Sequence, residues 1–116
     1  LSWCFPVSGS LAKQNSRYFL KASFYSSGTL TASGERFDKD GFTAASRTLP
    51  FGTRLLVTNP ANGRVVVVRI NDRGPFIRGR DLDLARGAAD ALGMIEQGTA
   101  MLTIVHLGRF ARSYQL

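Results

Sequence analysis

Three short segments of the sequence hold side chains able to do chemistry together. They are Thr31-Ala32-Ser33-Gly34-Glu35-Arg36-Phe37, Thr43-Ala44-Ala45-Ser46-Arg47-Thr48-Leu49-Pro50-Phe51-Gly52-Thr53 and Val68-Arg69-Ile70-Asn71-Asp72-Arg73-Gly74-Pro75-Phe76. Asp72 stands where a valine-rich run ends, at the start of a loop stiffened by Pro75. A carboxyl group held on a loop by a rigid scaffold is placed for proton transfer. The competing role for Asp72 is structural: it caps its own turn, or pairs with Arg69 or Arg73. Glu35, in a Gly-Glu-Arg turn, has the competing role of a solvated charge. A close arginine would favour the ionised form of Asp72 and weaken it as an acid. The acid role therefore requires burial, or an arginine turned away.

The elements that must position these residues are mostly strands. Lys21–Ser26 has the Phe-Tyr-Ser content of a strand, and 27–39 is rich in turn residues. Arg54–Thr58 and Arg64–Ile70 read as two strands of a hairpin turned at Asn62-Gly63, with Val65-Val66-Val67-Val68 the strongest strand signal in the chain. Asn71-Asp72-Arg73-Gly74-Pro75 breaks that strand into a loop. A helix is expected after Asp83 as N-cap, with Leu84, Ala85, Ala88, Ala91 and Leu92 at helical spacing and Gly93 at its end. Met101–Leu107 reads as the last strand. Ala44-Ala45 before Gly52-Thr53, and Ala88-Ala89 before Gly98-Thr99, suggest two copies of one unit: a short helix or turn, a Gly-Thr corner and a strand. A closed barrel built from two such halves leaves no sheet edge exposed. The organisation expected is an N-terminal arm over 1–20, a barrel domain over 21–108 and a tail over 109–116.

Composition narrows the function. The chain has 116 residues, 44% of them hydrophobic, which suits one globular domain. No stretch approaches the roughly 18–20 apolar residues of a membrane span, and no basic start followed by an apolar run marks a signal peptide. Leu1-Ser2-Trp3-Cys4 faintly resembles a lipoprotein cleavage box, but Trp3 stands where a small residue belongs, so Cys4 reads as a free thiol in a loose terminus. One cysteine and one histidine, His106, cannot supply the ligands of a zinc site, so no metal or cofactor is expected, and His106 reads as structural or surface. The net charge of +7 suits an anionic partner. Nucleic acid is set aside because the interleaved aromatic and basic pattern of single-strand binders is missing.

Together with Gly79-Arg80 and Asp83-Leu84-Ala85, the three segments resemble the rare lipoprotein A family of double-psi β-barrels, in the family's order and over about three quarters of the chain. The resemblance implies a mainly β fold, a six-stranded barrel with one or two short helices and a shallow glycan groove. It implies lytic transglycosylase activity on peptidoglycan strands stripped of stem peptides. It also implies a place in the bacterial cell envelope, in the periplasm, with outer-membrane anchoring as an open alternative. A monomer is expected, with cell-division or envelope proteins as candidate partners. Expansins and some endoglucanases share the barrel, so the fold alone does not fix the activity. The alternative is an expansin-like module that grips glycan without cutting it.

Family resemblance gives Asp72 the acid–base role. One carboxyl suffices if it protonates the leaving glycosidic oxygen and then, ionised, takes the proton of the sugar's own 6-hydroxyl, leaving a 1,6-anhydro end. Ordinary glycosidases need two carboxyl groups. Glu35 matches an assisting or substrate-holding carboxylate. Ser46 stands where catalytic members carry a histidine, and it has no proton that titrates near neutrality. A changed mechanism, a slower enzyme and a binding-only domain all stay open on that ground. Lys21-Ala22-Ser23-Phe24-Tyr25-Ser26 replaces the family's Gly-Ala-Ser-Trp-Tyr-Gly, so Phe24 and Tyr25 are candidates for sugar stacking or for half-buried packing. Arg69, Arg73 and Thr31 complete the candidate substrate-binding residues. The order of the segments predicts that Asp72 and Glu35 face one groove, with Ser46 beside Asp72.

Overall fold

The computed structural model describes residues 17–108. The expectations for Cys4, for the arm up to residue 16 and for the tail lie outside the described residues. Six strands and a helix follow one another: β1 (Arg17–Tyr25), β2 (Thr43–Ala45), β3 (Arg54–Asn59), β4 (Arg64–Asp72), β5 (Leu82–Ala85), α1 (Arg86–Ala91) and β6 (Ala100–Gly108). The strands close into a barrel in the order β1-β5-β2-β4-β3-β6. The pairs β1/β5 and β2/β4 are parallel and the remaining four antiparallel. This is the mainly β, six-stranded barrel with a short helix that the sequence implied.

Alternation fills the barrel. In β3, Leu55 and Val57 point inward, and in β4 Val66, Val68 and Ile70 do so, while Val65 and Val67 face solvent. Leu82, Leu84, Leu102 and Ile104 meet them from β5 and β6. Burying each such side chain contributes about 1.5–3 kcal/mol. The hairpin forms as expected: the Gly63 amide donates to the Asn59 carbonyl, with Gly63 at a φ of 77°. The amide side chains of Asn59 and Asn62 both donate to the Leu92 carbonyl, so the turn caps the far end of α1.

Four expectations change. β4 runs on through Asn71 to Asp72, so Asp72 closes the strand instead of opening a loop. β1 begins at Arg17, so Arg17–Leu20 of the expected arm pair with β6. Asp83 is not an N-cap but lies within β5; α1 starts from Ala85 with no side-chain cap. Leu82 and Leu84 decide this, because they reach the core only at a strand's period. Ala44-Ala45 is strand rather than helix or turn, held between β4 and β5, whereas Ala88-Ala89 is helical. What the two halves share is the glycine corner, Gly52 and Gly98 at φ of 92° and 78°, before strands β3 and β6, which pair with each other. The connection from β1 to β2 is pinned at Gly87: its amide donates to the Lys39 carbonyl at 2.7 Å, and a Cβ there would collide with the Asp40 carbonyl.

One irregularity positions the candidate site. β2 runs beside β4 with Ala44 opposite Ile70 but Ala45 opposite Asp72, so the register skips Asn71. Ser23, Asp83, Ala45 and Asp72 thereby form one row across β1, β5, β2 and β4. At strand spacing, Asp72 and Asp83 stand roughly 10 Å apart, backbone to backbone, with small Ala45 between them.

Candidate active site

Asp72 is held by three donors. The Ala32 and Arg73 amides donate to its Oδ1 at 2.8 and 2.9 Å, and the Tyr25 hydroxyl donates to Oδ2 at 3.0 Å. Oδ1 is thus doubly occupied, and Oδ2 keeps one lone pair for a further partner. The carboxylate lines a hollow of about 410 Å³ shared with Tyr25, Ala45, Arg80 and Asp83, and flanked by Leu30 and Phe76. Leu30 and Phe76 are 70% and 79% exposed, apolar rims on a polar floor.

Neither arginine expected beside Asp72 pairs with it. The Arg73 guanidinium turns to the next loop, donating to the carbonyls of Leu49 at 2.9 Å and Ser46 at 3.1 Å, and lies 4.1 Å over the Phe51 ring. Its remaining contact with Asp72 is a longer bond to the backbone carbonyl. Arg69 forms a forked ion pair with Glu35 at 2.8 and 3.2 Å. Among the described residues Asp72 makes no ion pair.

Tyr25 is fixed on both sides. Its ring stacks on Phe37 with centroids 4.7 Å apart, and its hydroxyl is committed to Asp72. Burial, then the hydrogen bond to Asp72 and the charges of Asp72 and Asp83, push the phenol well above its ordinary range. It is a neutral donor at every physiological pH. The stack covers one ring face, and Tyr25 lines the hollow beside Asp72.

The other candidates are placed apart from this hollow. Glu35 and Arg69 line a neighbouring hollow of about 280 Å³ with Asn71, and that hollow shares no residue with the first. Asn71, which adjoins Asp72 in β4, donates to Glu35 at 2.7 Å, while Asp72 accepts from the Ala32 amide of the same loop. The Arg69 bonds, then the Asn71 bond, hold the Glu35 carboxyl below its ordinary value. Ser46 adjoins Asp72 through the backbone, its amide donating to the Asp72 carbonyl at 3.2 Å. The Ser46 hydroxyl, however, accepts from the amides of Leu49 and Thr48 at 3.1 and 3.3 Å, closing its own loop. It lines a third hollow, of about 230 Å³. Thr31 is buried within its loop, bonded to Ser33 and to the Glu35 carbonyl. Phe24 packs against the core.

Asp83, Arg80 and Phe76 were not among the candidates. Asp83 accepts from the Ser23 hydroxyl at 2.7 Å and borders the same hollow as Asp72. The apolar-polar-apolar alternation of Leu82-Asp83-Leu84 was the signal for it. Arg80 and Phe76 stood in the motifs that carry the resemblance, but only the fold, which brings their loop to the hollow of Asp72, gives them a place in the site.

The closed order of these six strands, with Asp72 as the last residue of β4, makes this a double-psi β-barrel domain. The family described as lytic transglycolase matches residues 18–104, and the chain belongs to that family. It is 60% identical over 93 residues to a Nostoc protein named probable endolytic peptidoglycan transglycosylase RlpA, a match covering 76% of this chain and 25% of that protein. It is 49% identical over 77 residues to the Neisseria meningitidis endolytic peptidoglycan transglycosylase RlpA, covering 66% of this chain and 32% of that one. The chain thus spans a quarter to a third of the length of these curated relatives. Among solved structures, the Clavibacter michiganensis expansin superposes with a TM-score of 0.64 at 24% identity, over 78% of this chain and 50% of that one. The Streptomyces papain inhibitor does so at 0.64 and 21%, over 78% and 93%. These two likenesses speak for the fold alone.

Proposed function

We propose that the chain is a peptidoglycan lytic transglycosylase domain that cuts glycan strands in the bacterial cell envelope with Asp72 as its single acid and base. The observation that carries this reading is the Asp72 carboxyl itself, held by three donors, free of any ion pair among the described residues, and open to a hollow on one oxygen. With Oδ1 filled by two amides, the proton resides on Oδ2. From there it passes to the glycosidic oxygen as the bond to the anomeric carbon breaks. The sugar's 6-hydroxyl oxygen then bonds to that carbon, and its proton returns to Oδ2. Water takes no part, the product carries a 1,6-anhydro end, and Asp72 is restored. Tyr25 steadies the intervening carboxylate by donating to the same oxygen, and general acid–base help of this kind contributes about 10²–10⁴-fold.

Incubation with peptide-free glycan strands, followed by mass spectrometry, tests the proposal. Products 18 mass units lighter than the hydrolytic ones are expected, and intact strands or hydrolytic ends would count against it. Two observations favour the second reading, a binding module: the Ser46 hydroxyl is spent on its own loop, and Glu35 is pinned to Arg69. Tight glycan binding without cleavage would select it.

A further inference from the structure

This inference rests on the reading of the Asp72 hollow as a glycan site. Two arginines line that hollow, Arg73 and Arg80. Arg73 is committed to carbonyls and to the Phe51 ring. The Arg80 side chain has neither a hydrogen bond nor an ion pair with any described residue, and its Nε is buried with no acceptor. The carboxylates that could answer it are occupied. Asp81, next in the chain, pairs with Arg47 at 3.2 Å. Asp83 accepts from Ser23, and Asp72 from Tyr25 and two amides.

A partly buried guanidinium without a counter-charge has lost solvation that a ligand anion would restore. That anion must enter a hollow already holding two aspartates, so it must be carried by a group that binds there for other reasons. A muramic acid unit carries one. Its lactyl ether ends in a free carboxylate when no stem peptide is attached, and in an amide when one is. The amide keeps a single carbonyl oxygen but loses the charge and the forked geometry that a guanidinium reads. We propose that Arg80 selects peptide-free glycan by pairing with the lactyl carboxylate of a muramic acid unit seated over Asp72.

Calorimetric titration with a tetrasaccharide of alternating glucosamine and muramic acid, both N-acetylated, tests this. It is run with free lactyl carboxylates and again with the same groups converted to methylamides. The wild-type chain should bind the free acid about tenfold more tightly. Arg80→Gln should bind both forms alike, at the wild-type affinity for the methylamide, which also reports that the variant is folded. Arg80→Lys should recover part of the preference. Equal wild-type affinity for the two forms, or a preference kept in Arg80→Gln, overturns the role of Arg80 and leaves the hollow a glycan site. If the wild type binds neither form, the glycan reading of the hollow falls, and this inference falls with it.

Discussion

Arg73 and Arg47 each hold the other's loop. Arg73, after β4, donates to the carbonyls of Ser46 and Leu49, while Arg47, after β2, donates to those of Pro75 and Arg80 at 2.9 and 2.7 Å. The exchange clasps the two loops that frame the Asp72 hollow and removes both guanidinium groups from its carboxylate. Arg73→Met should therefore act first on loop stability. The loss expected is about 1–3 kcal/mol of unfolding free energy, the scale of hydrogen bonds to a charged group, read from urea denaturation. An unchanged midpoint would show that the clasp contributes nothing.

Asp72→Asn keeps the shape and the Oδ1 acceptor but removes the transferable proton. Cleavage of peptide-free glycan should vanish, while glycan affinity and the unfolding transition stay near wild type. Retained turnover would mean that the proton comes from elsewhere, with Asp83, on the same row, the first residue to examine.

Tyr25→Phe separates the hydroxyl from the ring. The stack on Phe37 survives, so glycan binding should change little. The lost bond to Oδ2 should cost about 1–3 kcal/mol at the transition state, which is roughly 5- to 150-fold in rate. A drop in affinity with an unchanged rate would instead make Tyr25 a sugar contact.

Ser46→Ala probes the position where the resemblance implies a histidine. Its hydroxyl closes the loop onto the Thr48 and Leu49 amides, so the variant should lose about 0.5–1.5 kcal/mol of stability. Cleavage, measured well below the melting range, should fall much less. A large loss of rate with no loss of stability would put the hydroxyl in the chemistry after all.

The Glu35–Arg69 pair predicts a pH dependence. The pair lowers the folded-state value of Glu35 below its ordinary 4.5. Its contribution is then present in full above that ordinary value and is lost as pH falls through the lowered one. Glu35→Gln should be less stable than wild type at neutral pH, with the gap closing in acid. Both partners are about two-fifths exposed, 38% and 40%, so the gap should be small, about 0.5–1 kcal/mol. A gap that stays constant down to acid pH would assign it to packing.

Local signals carried the sequence reading where local forces decide. The run Val65–Val68 and the Asn62-Gly63 turn made the β3–β4 hairpin legible, because alternation and turn chemistry act within a few residues. Asp83-Leu84-Ala85 misled because it fits a helix start as well as a buried strand, and only pairing with β1 and β2 chooses between them. At the site, Asp72 was legible from the end of its strand. The partner of Glu35 was not: Arg69 lies 34 residues away. Nor does sequence give the direction in which an arginine side chain turns, which here decides whether Asp72 is paired.

The barrel order has a consequence for the timing of activity. Tyr25 meets Asp72 across 47 residues, and Ser23 meets Asp83 across 60, while β1 is completed only when β6, the last strand, pairs along it. The walls of the hollow therefore come from segments far apart in the chain, and no single hairpin contains them. On the proposed reading, a site that cuts the wall protecting a cell is assembled only by the closed fold, so folding itself serves as its safety catch.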